Sequence, residues 1–237
     1  MDQLVWILLI IFLSCFIQAF TGFGSALVSV PLLLSFMPLE QVVPLVVMYC
    51  LLLQLVVILQ LKSQPIWKEA FILGGMAILG APFGTYLGKA LPQNIALTIL
   101  GAILAIYGML LFFEVKMPKF RGVIYPYIFG FSSGLLAGAY STSAPPLIIY
   151  SSSQDWPQSQ FKATLQAAFF MGTFSVIVTL LIQGSISNDI AWVVFKSIPV
   201  IFIGVFIGVW LGNKLNSDQF RKIVYILISI LGLKMVL

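Results

Sequence analysis

The chain has 237 residues, 61% of them apolar and 8% charged, with twelve Lys and Arg against seven Asp and Glu. A soluble domain is nearer half apolar and a quarter charged, so nineteen charged side chains cannot cover a 26.1 kDa globule and a soluble protein is excluded. The absence of His removes imidazole metal sites, imidazole bases and Ser-His triads.

Met1-Asp2-Gln3 passes directly into Leu4-Val5-Trp6, without a basic stretch or a small-residue cleavage site. This reads as a first membrane segment and not as a removed signal. Apolar runs then fall at roughly 4–37, 42–61, 70–88, 95–113, 123–152, 161–182, 190–211 and 223–237. With about 20 residues needed per crossing, the chain has room for eight or more spans. The connections are short and polar, as at Pro38-Leu39-Glu40, Lys62-Ser63-Gln64-Pro65 and Gln154-Asp155-Trp156-Pro157. No linker separates domains, so 1–237 reads as one transmembrane unit. Trp67, Trp156, Trp192 and Trp210 stand near segment ends, where interfacial aromatics belong. The twelve basic residues are scattered, without a basic helix face, and point to topology and not to nucleic acid.

The runs 4–37 and 123–152 are long and broken in the middle. The first is interrupted at Thr21-Gly22-Phe23-Gly24-Ser25, the second from Gly138 through Ser141-Thr142-Ser143-Ala144 to Pro145-Pro146. Gly costs about 1 kcal/mol in a helix interior and Pro about 3. Irregular backbone at membrane depth must be buried in protein or line a cavity. Each broken run is followed by three further runs. At a spacing of 124 positions, Gly80, Gly84, Gly88 and Gly108 fall on Gly204, Gly208, Gly212 and Gly232, and Leu87, Leu91 and Ile99 fall on Leu211, Leu215 and Ile223. The chain thus reads as two repeats, about 1–116 and about 120–237.

Charge counting decides how the broken runs travel. If they cross straight through, the basic residues divide seven to five between the faces. If they turn back, Lys62, Lys68, Lys116, Lys119, Arg121, Lys162, Lys214, Arg221 and Lys222 share one face, against Lys89, Lys196 and Lys234. Nine to three is the positive-inside pattern. Turning back also inverts the second repeat relative to the first. The expected fold is therefore an all-α integral membrane protein of two inverted repeats, each a re-entrant-like helix pair plus three transmembrane helices, which is a transporter architecture.

At each break a short helix restarts, with free N–H groups and roughly half a positive charge at its end, a ready place for an anion. Gly22 and Gly24 permit close approach, Thr21, Ser25, Ser141, Thr142 and Ser143 add hydroxyls, and Pro145 suits a first helical turn. Gln18 and Gln166 join them as amides at membrane depth; these, like Gln54, suit interhelical bonding as well as substrate contact. The glycine ladders 80–88 and 204–212 suit close helix packing. Lys162 suits either the interface or an anion path. Cys15 and Cys50 lack metal or redox spacing and read as small buried residues. All seven carboxylates lie near segment ends, so the usual proton relay is missing and no coupling to protons is expected. No cofactor, metal or catalytic residue is expected.

Gly22-Phe23-Gly24-Ser25-Ala26-Leu27-Val28-Ser29-Val30-Pro31-Leu32-Leu33 resembles the first signature of the TauE/SafE family of anion permeases. The stretches Gly134-Leu135-Leu136-Ala137-Gly138 and Ser143-Ala144-Pro145-Pro146-Leu147-Ile148-Ile149-Tyr150 resemble its second, and Lys162-Ala163-Thr164 stands where many members carry Arg-Ala-Thr. The likeness spans the chain. It implies transport of sulfite, sulfoacetate or a related organosulfonate across a bacterial inner membrane, with export the expected direction. The sequence departs from the pattern at Ser141-Thr142-Ser143-Ala144, where members usually carry a glycine cluster.

The expected partners are a small anion and the lipid bilayer, without nucleic acid, and a homodimer is left open. Two other readings stand beside transport, a membrane scaffold and a thiol–disulfide carrier. The carrier needs a reactive cysteine in each half, whereas Cys15 and Cys50 share the first. The charge count puts Lys62, Lys116 and Lys214 in the cytoplasm and both termini outside. In a Cys-free background, a cysteine at position 116 is expected to resist an impermeant maleimide added to intact cells; labelling from outside would reverse the orientation.

Overall fold

The computed structural model describes residues 2–61, 63–115, 118–212, 214 and 217–236, and Lys62, Lys116 and Leu215 of the sequence reading lie outside them. Ten helices and no strand occur among the described residues. They are α1 (Asp2–Thr21), α2 (Ser25–Leu33), α3 (Leu39–Gln60), α4 (Trp67–Ala90), α5 (Gln93–Phe112), α6 (Ile124–Tyr140), α7 (Ala144–Ser152), α8 (Gln158–Ile182), α9 (Asn188–Gly212) and α10 (Ser217–Val236). Six of them, α1, α3, α4, α5, α8 and α9, are long and apolar enough to cross a membrane. The remainder includes the two pieces that follow the breaks, each of nine residues. The protein is an all-α, multi-pass membrane protein.

Both broken runs turn back. Gln3 Nε2, at the start of α1, donates to Phe36 O just beyond α2 at 2.9 Å. Gln154 Nε2, just beyond α7, donates to Phe120 O ahead of α6 at 3.2 Å. Each pair is therefore a helical hairpin whose two open ends meet. Surface contacts agree with the turn-back charge count. Lys119 donates to both carboxylate oxygens of Asp155, at 3.1 and 2.8 Å, and Lys222 pairs with Glu114 at 2.9 Å, which gathers the α5–α6 and α7–α8 connections and the first turns of α10 at one end. The bond from Lys119 holds the Asp155 carboxyl below its usual range. At the opposite end Lys89 Nζ donates to Ser185 Oγ at 2.6 Å and ties α4 to the connection after α8.

The bundle is held by glycine against carbonyl. A Cβ added at Gly80, Gly84 or Gly88 would lie 2.3, 2.0 and 2.9 Å from backbone atoms of Phe131, Leu135 and Ala139 in α6. In return, Gly134 and Gly138 of α6 face the carbonyls of Ala77 and Ala81, both at 2.2 Å by the same measure. The ladder 124 positions later does the same work: Gly204, Gly208 and Gly212 of α9 face the carbonyls of Phe12, Phe16 and Phe20 in α1, at 3.0, 2.7 and 3.3 Å. Gly101 and Gly232 meet across α5 and α10, and Gly108 faces Tyr225 and Ser229 of α10. Lipid tails are as apolar as side chains, so membrane helices associate through such close packing. Cys15 and Ala19 of α1 are the small residues facing Gly204 and Gly208. Large apolar side chains such as Phe83, Phe113, Ile182 and Phe206 lie exposed on the outside, the surface that lipid covers.

Gly84→Ala is expected to lower the stability of the purified protein by about 1–3 kcal/mol through overpacking. Gly75→Ala, where an added Cβ meets nothing within 4 Å, is expected to be neutral or slightly stabilising. Thermal unfolding in detergent measures both.

Candidate functional site

The first break forms because α1 reaches two glycines that take a conformation closed to most residues. Gly22 has φ 97° and Gly24 has φ 103°, both in the left-handed region. Thr21 Oγ1 reinforces the reversal, lying 2.8 Å from Ile17 O and 2.6 Å from Phe23 O and accepting the Phe23 N–H at 3.2 Å. The second break turns at Ser141, a non-glycine residue with φ 59°. That conformation costs roughly 1–2 kcal/mol for a residue with a Cβ. It is offset in part by the Ser141 hydroxyl, which donates to Val43 O of α3 at 3.0 Å. Ser141 thus occupies the geometry for which the family's glycines are suited.

The two breaks face one small cavity. Its wall takes Gln18, Gly24 and Ser25 from the first break, Ser141, Thr142 and Ser143 from the second, and Cys50, Gln54, Phe169 and Thr173 from α3 and α8. Among the described residues, no Asp, Glu, Lys or Arg lines it. The breaks do not offer the same chemistry. In α2 the first N–H groups lack intrahelical partners. That of Ser25 is held by Gln18 Oε1 at 3.3 Å, and the Ser25 hydroxyl also donates to Gln18 Oε1. In α7 the first turn holds Pro145 and Pro146, which carry no N–H. There the donors are hydroxyls. Thr142 is 1% exposed, and its Oγ1 has no hydrogen-bond partner among the described residues. Such an orphaned buried group costs about 1–3 kcal/mol until something bonds it.

Gln54 is the second open group. Its Nε2 donates to Thr173 Oγ1 at 3.1 Å, bridging α3 and α8, while its Oε1 is buried without a partner. One end of this amide therefore stays open to the cavity, whichever way the amide is turned. Cys50 Sγ lies 3.3 Å from Ser25 Oγ.

The remaining sequence-predicted residues sit behind this wall. Thr21 is spent on its own turn. Gly22 packs against the Lys162 stem, with an added Cβ meeting it at 3.1 Å. Gln166 Nε2 donates to Gly22 O at 2.8 Å and its Oε1 accepts from Gln18 Nε2 at 3.3 Å, so α8 clasps the first break. Lys162 Nζ, one turn earlier, lies 3.4 Å from Phe20 O at the carbonyl end of α1. Pro145 occupies the first turn of α7. Sequence reasoning read Cys50 as a small buried residue, passed over Phe169 and Thr173, and left Gln54 open. The Gln54 amide, a polar group at membrane depth, was the available signal.

A membrane bundle in which two interrupted helices meet at a buried, uncharged, donor-lined cavity has the build of a secondary transporter. The family comparison agrees. The chain belongs to the TauE/SafE family, since the family's sequence model, described as Sulfite exporter TauE/SafE, matches residues 7–235, nearly the whole length. The protein is thus a multi-pass membrane transporter of the sulfite or related anion type. Neither a curated protein nor a solved structure matches it.

Gln166→Leu removes the donor to Gly22 O and the acceptor for Gln18 at once. It is expected to cost about 1–3 kcal/mol of stability, because buried polar groups are left unpaired. Thr142→Val deletes a hydroxyl that bonds nothing among the described residues, and its thermal midpoint should match or exceed the parent's.

Proposed function

We propose that the protein exports sulfite or a related organosulfonate, binding it in the central cavity between the two breaks. The observation that carries this reading is the buried, partnerless Thr142 hydroxyl, opposite the first turn of α2 in a cavity without a carboxylate. The anion takes N–H groups and about half a positive charge from α2, hydroxyls from Thr142 and Ser143, and the open end of the Gln54 amide. Gln18, Thr21, Gly22, Ser141, Pro145 and Gln166 hold the two breaks in place around it. Neutral donors bind a small anion without a fixed cation to trap it, so release is ready.

The two halves act as inverted repeats, a reading supported by the paired packing of α4 on α6 and α9 on α1. The basic end faces the cytoplasm. Export then needs no proton: one negative charge leaving a cell across about 100 mV gains roughly 2.3 kcal/mol, nearly a fiftyfold concentration ratio. No Asp, Glu or His lies in the cavity to relay protons.

The test is flux of radiolabelled sulfite in proteoliposomes, with the potential clamped by potassium and valinomycin. Flux is expected to follow voltage and to ignore an imposed pH step. Thr142→Val and Ser143→Leu are expected to lower it about tenfold or more, the worth of a hydrogen bond to a charged group, with the protein still monodisperse. These two positions are cleaner probes than Gly24, whose φ of 103° strains any side chain. Uphill accumulation driven by the pH step alone at zero potential would overturn the uncoupled mechanism. Unchanged flux in both variants would reduce the breaks to kinks.

A further inference from the structure

A second cavity opens at the end of the bundle where α3 begins and α4, α6 and α8 finish. Leu39, Glu40, Val43, Thr85, Lys89 and Ser185 are among its walls. On α3, Glu40, Val43 and Pro44 face this outer cavity, and Val47, Cys50 and Gln54 face the central one. Those positions follow one another by three or four residues, so a single helix face runs from one cavity to the other. On α8 the same holds for Leu180 in the outer cavity and Thr173 and Phe169 in the central one. On α6, Gly138 and Ala139 border the outer space, while Ala137 and Ser141 border the inner. The two spaces are thus successive chambers between the same helices. Between them stands the chain at Ser141, tied to Val43 O by one hydroxyl bond of 3.0 Å.

The outer chamber carries a cation of its own. Lys89 is one of only three basic residues that the charge count assigns to this face, beside Lys196 and Lys234, and it is exposed with its ammonium 2.6 Å from Ser185 Oγ. Glu40 is the acidic residue on the same wall.

We propose that this outer chamber is a transit site for the transported anion, a vestibule on the face opposite the basic one, with Lys89 as its anion-attracting residue and the Ser141–Val43 contact as the partition from the central site. The proposal rests on the transport reading above and adds the route. A positive group at the mouth of a low-dielectric cleft raises the local concentration of an anion. Lys89 therefore governs flux at low substrate and its sensitivity to salt, and has little effect at saturation.

The experiment uses the full chain as right-side-out membrane vesicles, with Cys15 and Cys50 kept because both are buried. Single cysteines replace Ser185 or Glu40 in the chamber, or Asn94, an exposed residue at the same end outside it. An impermeant maleimide is added and washed away before sulfite flux is read. Labelling at Ser185→Cys and Glu40→Cys is expected to lower flux about tenfold and labelling at Asn94→Cys to leave it unchanged. Separately, Lys89→Gln should lower flux at subsaturating sulfite and flatten its dependence on ionic strength, and Lys89→Arg should restore both. No flux in the unlabelled parent chain, for any sulfur anion, would sink the transport reading and the vestibule with it. Normal flux in labelled Ser185→Cys and Glu40→Cys chains, or a Lys89→Gln chain identical to the parent at every salt concentration, sinks the vestibule alone.

Discussion

A helix interrupted inside a bilayer leaves N–H and C=O groups that lipid cannot bond, and the architecture follows from that debt. Each break in this protein must be enclosed by protein, which requires neighbouring helices to come close on all sides. At the first break the enclosure is explicit. Gln166 holds Gly22 O, Gln18 holds the Ser25 N–H, and the Lys162 ammonium approaches Phe20 O. Three of these contacts reach across from α8 or tie back to it. The same polar backbone that demands burial becomes the binding surface where one group is left unanswered.

The division of labour between the breaks follows from residue type. The first turn of α2 retains its N–H groups, whereas two prolines remove them from the first turn of α7. The second break compensates with side chains: Ser141 turns the chain and anchors it to α3, Ser133 Oγ donates to Ser143 O at 3.0 Å, and Thr142 is left facing the cavity. A run of hydroxyl residues at this place is thus consistent with an asymmetric site, one wall of backbone donors and one of side-chain donors.

Much of this was legible in the chain. Membrane class follows from composition, the hairpins from Gly and Pro inside apolar runs combined with the charge count, and helix packing from the matched glycine ladders. The cavity walls contributed by α3 and α8 were not legible, and the reason is positional. The ladders repeat at 124 residues, but Ser25 and Ala144, which open α2 and α7, and Leu39 and Gln158, which open α3 and α8, stand 119 apart. Any single offset therefore aligns the ladders and misaligns the cavity faces, so Gln54 and Thr173, also 119 apart and hydrogen-bonded to each other, were not paired in the reading. Hydropathy could not help, because those helices are apolar all round and periodicity is flat.

The glycine ladders also decide which helices pack as units. Each joins a helix of the N-terminal half to one of the C-terminal half, α4 to α6 and α9 to α1, with backbone pressed on backbone over three turns. The side chains in such an interface are small, as Cys15 and Ala19 are against Gly204 and Gly208. Each hairpin is thus packed backbone to backbone on a helix borrowed from the other half, so that each tightly packed unit is a chimera of the two sequence halves. Between these units α3 and α8 face the cavity through side chains, Cys50 and Gln54 on one and Phe169 and Thr173 on the other.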